Sequence, residues 1–274
     1  MAIGTEEDRG RKAGLPKSVV PGSGTRLEPL VTSLDYDHDY ECDYDHEYDY
    51  DYEHEGNMSQ PLVIRGGVIL TLGEENRVLR DHAIRVEHGV IRQIAPAADV
   101  SAADARVIDA AGKAVLPGWI NAHMHFYSTL VRGLGKAKPS RDFVEQLRNL
   151  WWRLDRQLTL DDTYVSALVM ALAAVRSGTT TLVDHHASPG AVRGSLDVIA
   201  RAVKTAGLRA CLCYEVSDRD GAEVAQAGLE ENAAFIRRCR TERDPQLRAL
   251  FGLHAAFTLG DATLDRAAAM GREL

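Results

Sequence analysis

"VLPGWINAHMHF", residues 115–126, places a proline-glycine step before a short apolar run that ends in two histidines two apart. The shortness of the run and its flanking Pro117-Gly118 predict a β-strand rather than a helix. Side chains two apart on a strand point to the same side, so His123 and His125 project together from the strand's end. Two neutral imidazoles placed this way supply half of a metal site, since catalytic zinc takes about three protein ligands and keeps one position open. A lone His-x-His pair is more often structural, so its meaning depends on the chain around it.

Downstream, strand and helix patterns alternate. A helix is predicted from Arg141 to Leu158, with Phe143, Leu147, Leu150, Trp151, Leu154 and Leu158 on one face. On it, Trp151 and Trp152 read as packing residues, one of them available to wall a pocket. Thr159 with Asp162 resembles a capping box for a second helix, which Gly178 terminates. "TTTLVDHH" (179–186) is the next strand, followed by a helix to Gly207. "LRACLCYE", a helix from Ala222 to Arg240, the strand "LRALFGLHA" and a helix opening at "DATLDRAAAM" follow in order. Such alternation implies βα units on a parallel sheet, with ligands at the carboxyl ends of the strands.

Upstream, from Pro61, the texture is short β-rich runs: "PLVIRGGVILTL", "HAIRVEHGVIRQIA" and "ARVIDAAGKAVLPG". Gly66-Gly67 and His88-Gly89 are turn signals between them. Before these lies a low-complexity tract in which every odd position from Asp35 to Glu55 is acidic. A strand there would carry a solid row of carboxylates with nothing apolar to offset the ordering cost, which predicts disorder. A loose cation-binding arm is a further reading of the same carboxylates and imidazoles. Met58 follows the tract and is an expected alternative start.

The tract also explains the charge. The chain has 32 basic and 40 acidic residues, a net of -8; without the tract's eleven acids, 32 face 29 and the remainder is about +3. No basic patch interleaved with aromatics points to nucleic acid. No secretory apolar region and no long apolar run point to a membrane, so the expected location is cytoplasmic. Cys42, Cys211, Cys213 and Cys239 lack zinc-site or disulfide-framework spacing and read as ordinary thiols.

With these elements in place, "VLPGWINAHMHFYSTLVRG" (115–133) resembles the opening signature of the amidohydrolase superfamily of metal-dependent hydrolases. "NLWWRLDR" (149–156), "DHHASP" (184–189) and "GSLDVI" (194–199) are similar to its chlorohydrolase and aminohydrolase branch, most closely to the SsnA aminohydrolase subfamily. The resemblance runs from about Pro61 to Leu274. It implies an α/β fold, the N-terminal half of a (β/α)8 TIM barrel with about four βα units. A small β-sandwich module and a disordered acidic leader precede it, giving expected boundaries of 1–58, 59–118 and 119–274.

The resemblance further implies hydrolysis of a non-peptide carbon–nitrogen bond, the deamination of an amino-substituted, purine-like heterocycle, with zinc or iron as the divalent metal. His123 and His125 take the positions of the first two metal ligands. His254, in "GLHAAFT", matches the histidine of a His-Ala-Pro-aromatic-Thr motif that contacts substrate, with Ala256 where that motif has proline. His185 and His186 end a strand on opposite faces, so one of them can face the barrel as a substrate contact or ligand. A makeshift metal site completed by one of them with Asp184 is a further arrangement. The family's other ligands and its proton-shuttling glutamate lie on strands five to eight, beyond these βα units, so the chain is expected to be inactive alone. Open barrel edges predict association into a homo-oligomer, and the alternative to an enzyme is a non-catalytic half-barrel interaction fragment.

Overall fold

The computed structural model describes residues 60–131, 133 and 138–274. The acidic tract, Cys42 and Met58 lie outside the described residues. Strands β1 (Leu62–Arg65), β2 (Val68–Leu70), β3 (Val78–Leu79), β4 (His82–Glu87), β5 (Val90–Pro96), β6 (Arg106–Asp109) and β7 (Ala114–Val115) form two small sheets. One has the order β5-β4-β1-β6 and the other β3-β2-β7. The β4–β5 hairpin turns at His88 and Gly89, whose φ angles of 50° and 72° suit a tight hairpin turn that asparagine or glycine ordinarily supplies. Val63, Ala83 and Val100 are the buried centre of this module.

Next come β8 (Trp119–Met124), a helical run holding α1 (Phe143–Gln146) and α2 (Trp152–Leu154), then α3 (Leu160–Arg176) and β9 (Thr179–His186). The chain continues through α4 (Ser195–Thr205), β10 (Arg209–Tyr214), α5 (Ala222–Glu242), β11 (Leu247–Ala249) and α6 (Asp261–Glu273). The four strands make one sheet of order β11-β10-β9-β8, every pair parallel. The capping box at Thr159 and Asp162 is formed, and Gly178 follows α3 with φ of 73°. No single helix among the described residues is long and apolar enough to cross a membrane.

Two expectations are corrected. The helix expected over 141–158 is not uniform: residues 147–151 make π-type hydrogen bonds between α1 and α2, and 155–157 tighten to 3-10 geometry. A π-turn inserts one residue and re-aims the side chains after it. The strand expected through "LRALFGLHA" is ordered as a strand only over Leu247–Ala249, with a single bridge from Leu253 to Val216 beyond it.

Alternation along the strands sorts the side chains. Leu182 of β9, Ala210, Leu212 and Tyr214 of β10, and Met124 and Phe126 at the end of β8 join the helices' core with Leu196, Ile199, Val203 and Leu229. His123, His125, His185 and Glu215, each one residue out of step with these, belong to the opposite face of the sheet. Register sets the ends of β8 and β9 at one height, Met124 pairing with Asp184, and places Glu215 two residues beyond Cys213, the partner of His185.

Candidate active site

The rings of His123 and His125 lie 5.2 Å apart and meet edge to face. The ring of His185 is 5.5 Å from His123 and 6.1 Å from His125. His186 points the other way, fully buried, with Nε2 2.8 Å from Ser188 Oγ and its ring between Tyr127 and Tyr214. Of the adjacent pair, then, His185 faces the cluster and His186 is a core residue.

His125 is oriented by a backbone carbonyl: its Nδ1 donates to the oxygen of His185 at 2.8 Å. That bond puts the ring proton on Nδ1 and leaves the Nε2 lone pair free, the arrangement in which a histidine binds a metal. Burial lowers the pKa of His125 and of His185, favouring the neutral rings that coordination requires. His185 Nδ1 is buried without a hydrogen-bond partner among the described residues. Among the described residues, no three His, Cys, Asp or Glu side chains are arranged to hold an ion. The donor chemistry of His123 and His125 fits zinc or iron, as two nitrogens of a larger set.

Asp184 does not join them. Its side chain is fully buried, and Oδ1 accepts from the backbone N of Phe126 at 2.7 Å, pinning the end of β8. Burial raises this carboxyl well above its ordinary range. The makeshift site that would enlist Asp184 is therefore not formed.

His254 lies across the cluster, after β11. Thr258 Oγ1 spends its proton on the Ala255 carbonyl at 2.7 Å, so it accepts from His254 Nδ1 at 2.9 Å. The ring is thereby neutral with a lone pair on Nε2, in keeping with a pKa pushed down to about 4 by burial and by Arg219. The bond to Thr258 forms although Ala256 replaces the motif's proline.

Glu215 stands between the two histidines. Its Oε1 is 3.4 Å from His125 Nδ1, its Oε2 is 3.9 Å from His254 Nε2, and its side chain is 10% exposed. Burial pushes this carboxyl up to about 8 despite the pull of Arg219. Tyr127 adds its ring 5.4 Å from His125 and meets Trp151 edge to face at 6.5 Å. Behind them Arg219 is paired with Asp155 and Asp220 and lies 5.3 Å above the Trp152 ring, which ties the helical run to the turn after β10. Glu215, Tyr127 and Arg219 were not singled out from the sequence. Glu215 had one available signal, its place at the carboxyl end of the third strand of a parallel sheet, where such folds keep their functional residues.

A family model described as the amidohydrolase family matches residues 114–273, more than half of the chain. The chain belongs to the amidohydrolase family. This amidohydrolase is 29% identical over 205 residues to a 5'-deoxyadenosine deaminase of Methanosarcina barkeri, covering 75% of the chain and 45% of that relative. It is 28% identical to a 5-methylthioadenosine/S-adenosylhomocysteine deaminase of Pelotomaculum thermopropionicum, covering 72% and 43%. The chain thus spans less than half the length of these curated relatives. Among solved structures, an adenosine deaminase of Xanthomonas campestris with bound zinc superposes with a TM-score of 0.61 at 24% identity, over 77% of this chain and 47% of that one. An atrazine chlorohydrolase of Arthrobacter aurescens complexed with zinc gives 0.61 at 20% identity, over 77% and 51%. At such identities the structural likeness concerns the fold.

Proposed function

We propose that this chain carries the first half of the active site of a metal-dependent aminohydrolase that removes an amino group from a purine-like heterocycle. The four-stranded parallel sheet corresponds in this reading to strands one to four of a (β/α)8 barrel, with residues 59–118 as its companion β module. The observation that carries the proposal is the tethered ring of His125, which with His123 offers lone pairs at the carboxyl end of the first barrel strand. The names of the matched relatives, several of them deaminases of adenosine derivatives, support the substrate class.

His123 and His125 would hold a zinc or iron ion. When bound, such an ion supplies Lewis acidity. His254 keeps its proton on Nδ1 through Thr258 and presents a lone pair to the substrate. Tyr127 and Trp151 wall one side and exclude water. Two nitrogen donors fall short of the roughly three that a catalytic zinc uses, so metal held by these residues alone is weak and turnover by this chain alone is not expected.

Calorimetric titration of the protein with Zn²⁺ tests the metal site. One saturable site is expected, abolished in His125→Ala and weakened about 10-fold or more in His123→Ala. Binding unchanged in both variants sinks the proposal. A second reading, the non-catalytic half-barrel that binds other chains through its open strand edges, is favoured by the exposure of Trp119 and Ile120 on β8. It is expected to give a discrete oligomer without metal.

A further inference from the structure

Glu215 has two carboxyl oxygens in the cluster and, among the described residues, no hydrogen-bond donor committed to either. The proton on His125 Nδ1 is spent on the His185 carbonyl at 2.8 Å, against 3.4 Å to Glu215 Oε1. His254 has its proton on the far side, facing Thr258, so the nitrogen turned toward Glu215 Oε2 is a lone pair at 3.9 Å. That separation exceeds a hydrogen bond. The Glu215 backbone is fixed, its N–H donating to the His186 carbonyl at 2.7 Å, so the side chain cannot leave by a shift of the strand end. Here three polar atoms, Oε1, Oε2 and His254 Nε2, converge beside the ring that would hold the metal.

We propose that Glu215 is a specificity-determining residue that, with His254, receives the N–H donors of the substrate's amino-bearing edge. The inference rests on the aminohydrolase reading above and deepens it. A group with two N–H donors, such as a ring amino group, satisfies one carboxyl oxygen of Glu215 and His254 Nε2 together; a methyl group of the same size leaves them unpaired. Sites built around buried polar groups reject analogues that lack the matching partner far more strongly than apolar pockets reject an extra atom. Selection for the amino group is thus made by Glu215 and His254 at the binding step.

The test compares adenosine with 6-methylpurine riboside, which keeps the shape and replaces the amino group by methyl, in equilibrium binding to the full chain in zinc-containing buffer. The wild-type protein is expected to favour adenosine by about 10-fold or more. In Glu215→Leu the preference is expected to fall below about twofold, and in Glu215→Gln, which keeps one acceptor oxygen, to an intermediate value. Because each variant is read as a ratio of two ligands on the same folded protein, a change in the amount of active material cancels. An unchanged ratio in Glu215→Leu, or a wild-type ratio near one, overturns the role of Glu215 while leaving the aminohydrolase reading intact. Binding of neither nucleoside overturns both.

Discussion

His186 ends β9 inside the core, and its ring is held neutral by complete burial, which pushes its pKa down to about 3, with a small push from His125. In the unfolded chain the same ring titrates near 6.5. Above 6.5 neither state binds the proton and the stabilisation is complete; below it only the unfolded chain does, so stability is lost as pH falls toward 3. Each unit costs about 1.4 kcal/mol, or about 2 kcal/mol between pH 6.5 and pH 5. Glu215 and Asp155, whose carboxyls burial raises to about 8 and about 6, favour folding as pH falls, so the total curve mixes both signs. The His186 part is isolated by difference: urea unfolding of wild type and His186→Asn should show a gap about 2 kcal/mol smaller at pH 5 than at pH 7. An equal gap at both pH values contradicts the assignment. At this scale the sequence was informative wherever spacing carried the message. His123 with His125, and the opposed faces of His185 and His186, follow from the period of a strand. The role of Glu215 did not, because its neighbours His125 and His254 are brought to it only by sheet register and by the hydrogen bonds that fix their tautomers.

Elements are joined by buried polar side chains that no periodicity announces. Asn232 of α5 is fully buried; its Oδ1 accepts from Tyr214 N at 2.8 Å, and its Nδ2 donates to the carbonyls of Tyr214 and Gly252 at 2.9 and 3.2 Å. One side chain thus ties α5 to the end of β10 and to the chain after β11, where Glu215 and His254 reside. Asn232→Ala is expected to cost about 3 kcal/mol, the penalty of stranding buried backbone groups, measured as a shift in the urea midpoint. A cost below about 0.5 kcal/mol, the level of an ordinary surface change, contradicts it. Gly252 shares the joint: a Cβ there would lie 2.4 Å from the Tyr214 carbonyl oxygen, so Gly252→Ala must push the two segments apart. It is expected to lower the thermal midpoint by several degrees and to weaken the adenosine preference; a variant as stable as wild type would show that the joint yields freely. Helix starts and stops were legible because capping chemistry is local, as at Thr159, Asp162 and Gly178. The π-turn at 147–151 was not, since the apolar spacing of that run fits a regular helix and the inserted turn answers to packing against Tyr127 and Arg219.

Across the whole described chain, the parallel sheet has two strands bonded on one side only, β8 and β11. Their surroundings are apolar: Trp119 and Ile120 of β8 are 57% and 67% exposed, and Leu250 and Leu253 beyond β11 are exposed as well. Unpaired backbone groups beside exposed large apolar side chains recruit further strands. The sheet's inner face, which carries the histidine cluster, is open to the same partners, so association and site completion are coupled. Parallel pairing onto β8 would bring new groups beside His123, whereas pairing onto β11 would bring them beside His254. The protein is therefore expected to sediment as an oligomer whose size grows with concentration. Ile120→Lys, which puts a charge on the β8 edge outside the histidine cluster, should shift it toward the monomer and lower zinc uptake if partners complete the site. A monomer at all concentrations would show that the edges are passive. An oligomer unaffected by Ile120→Lys would move the contact to β11 or to the exposed apolar stripe of Val165, Val169 and Leu172 on α3.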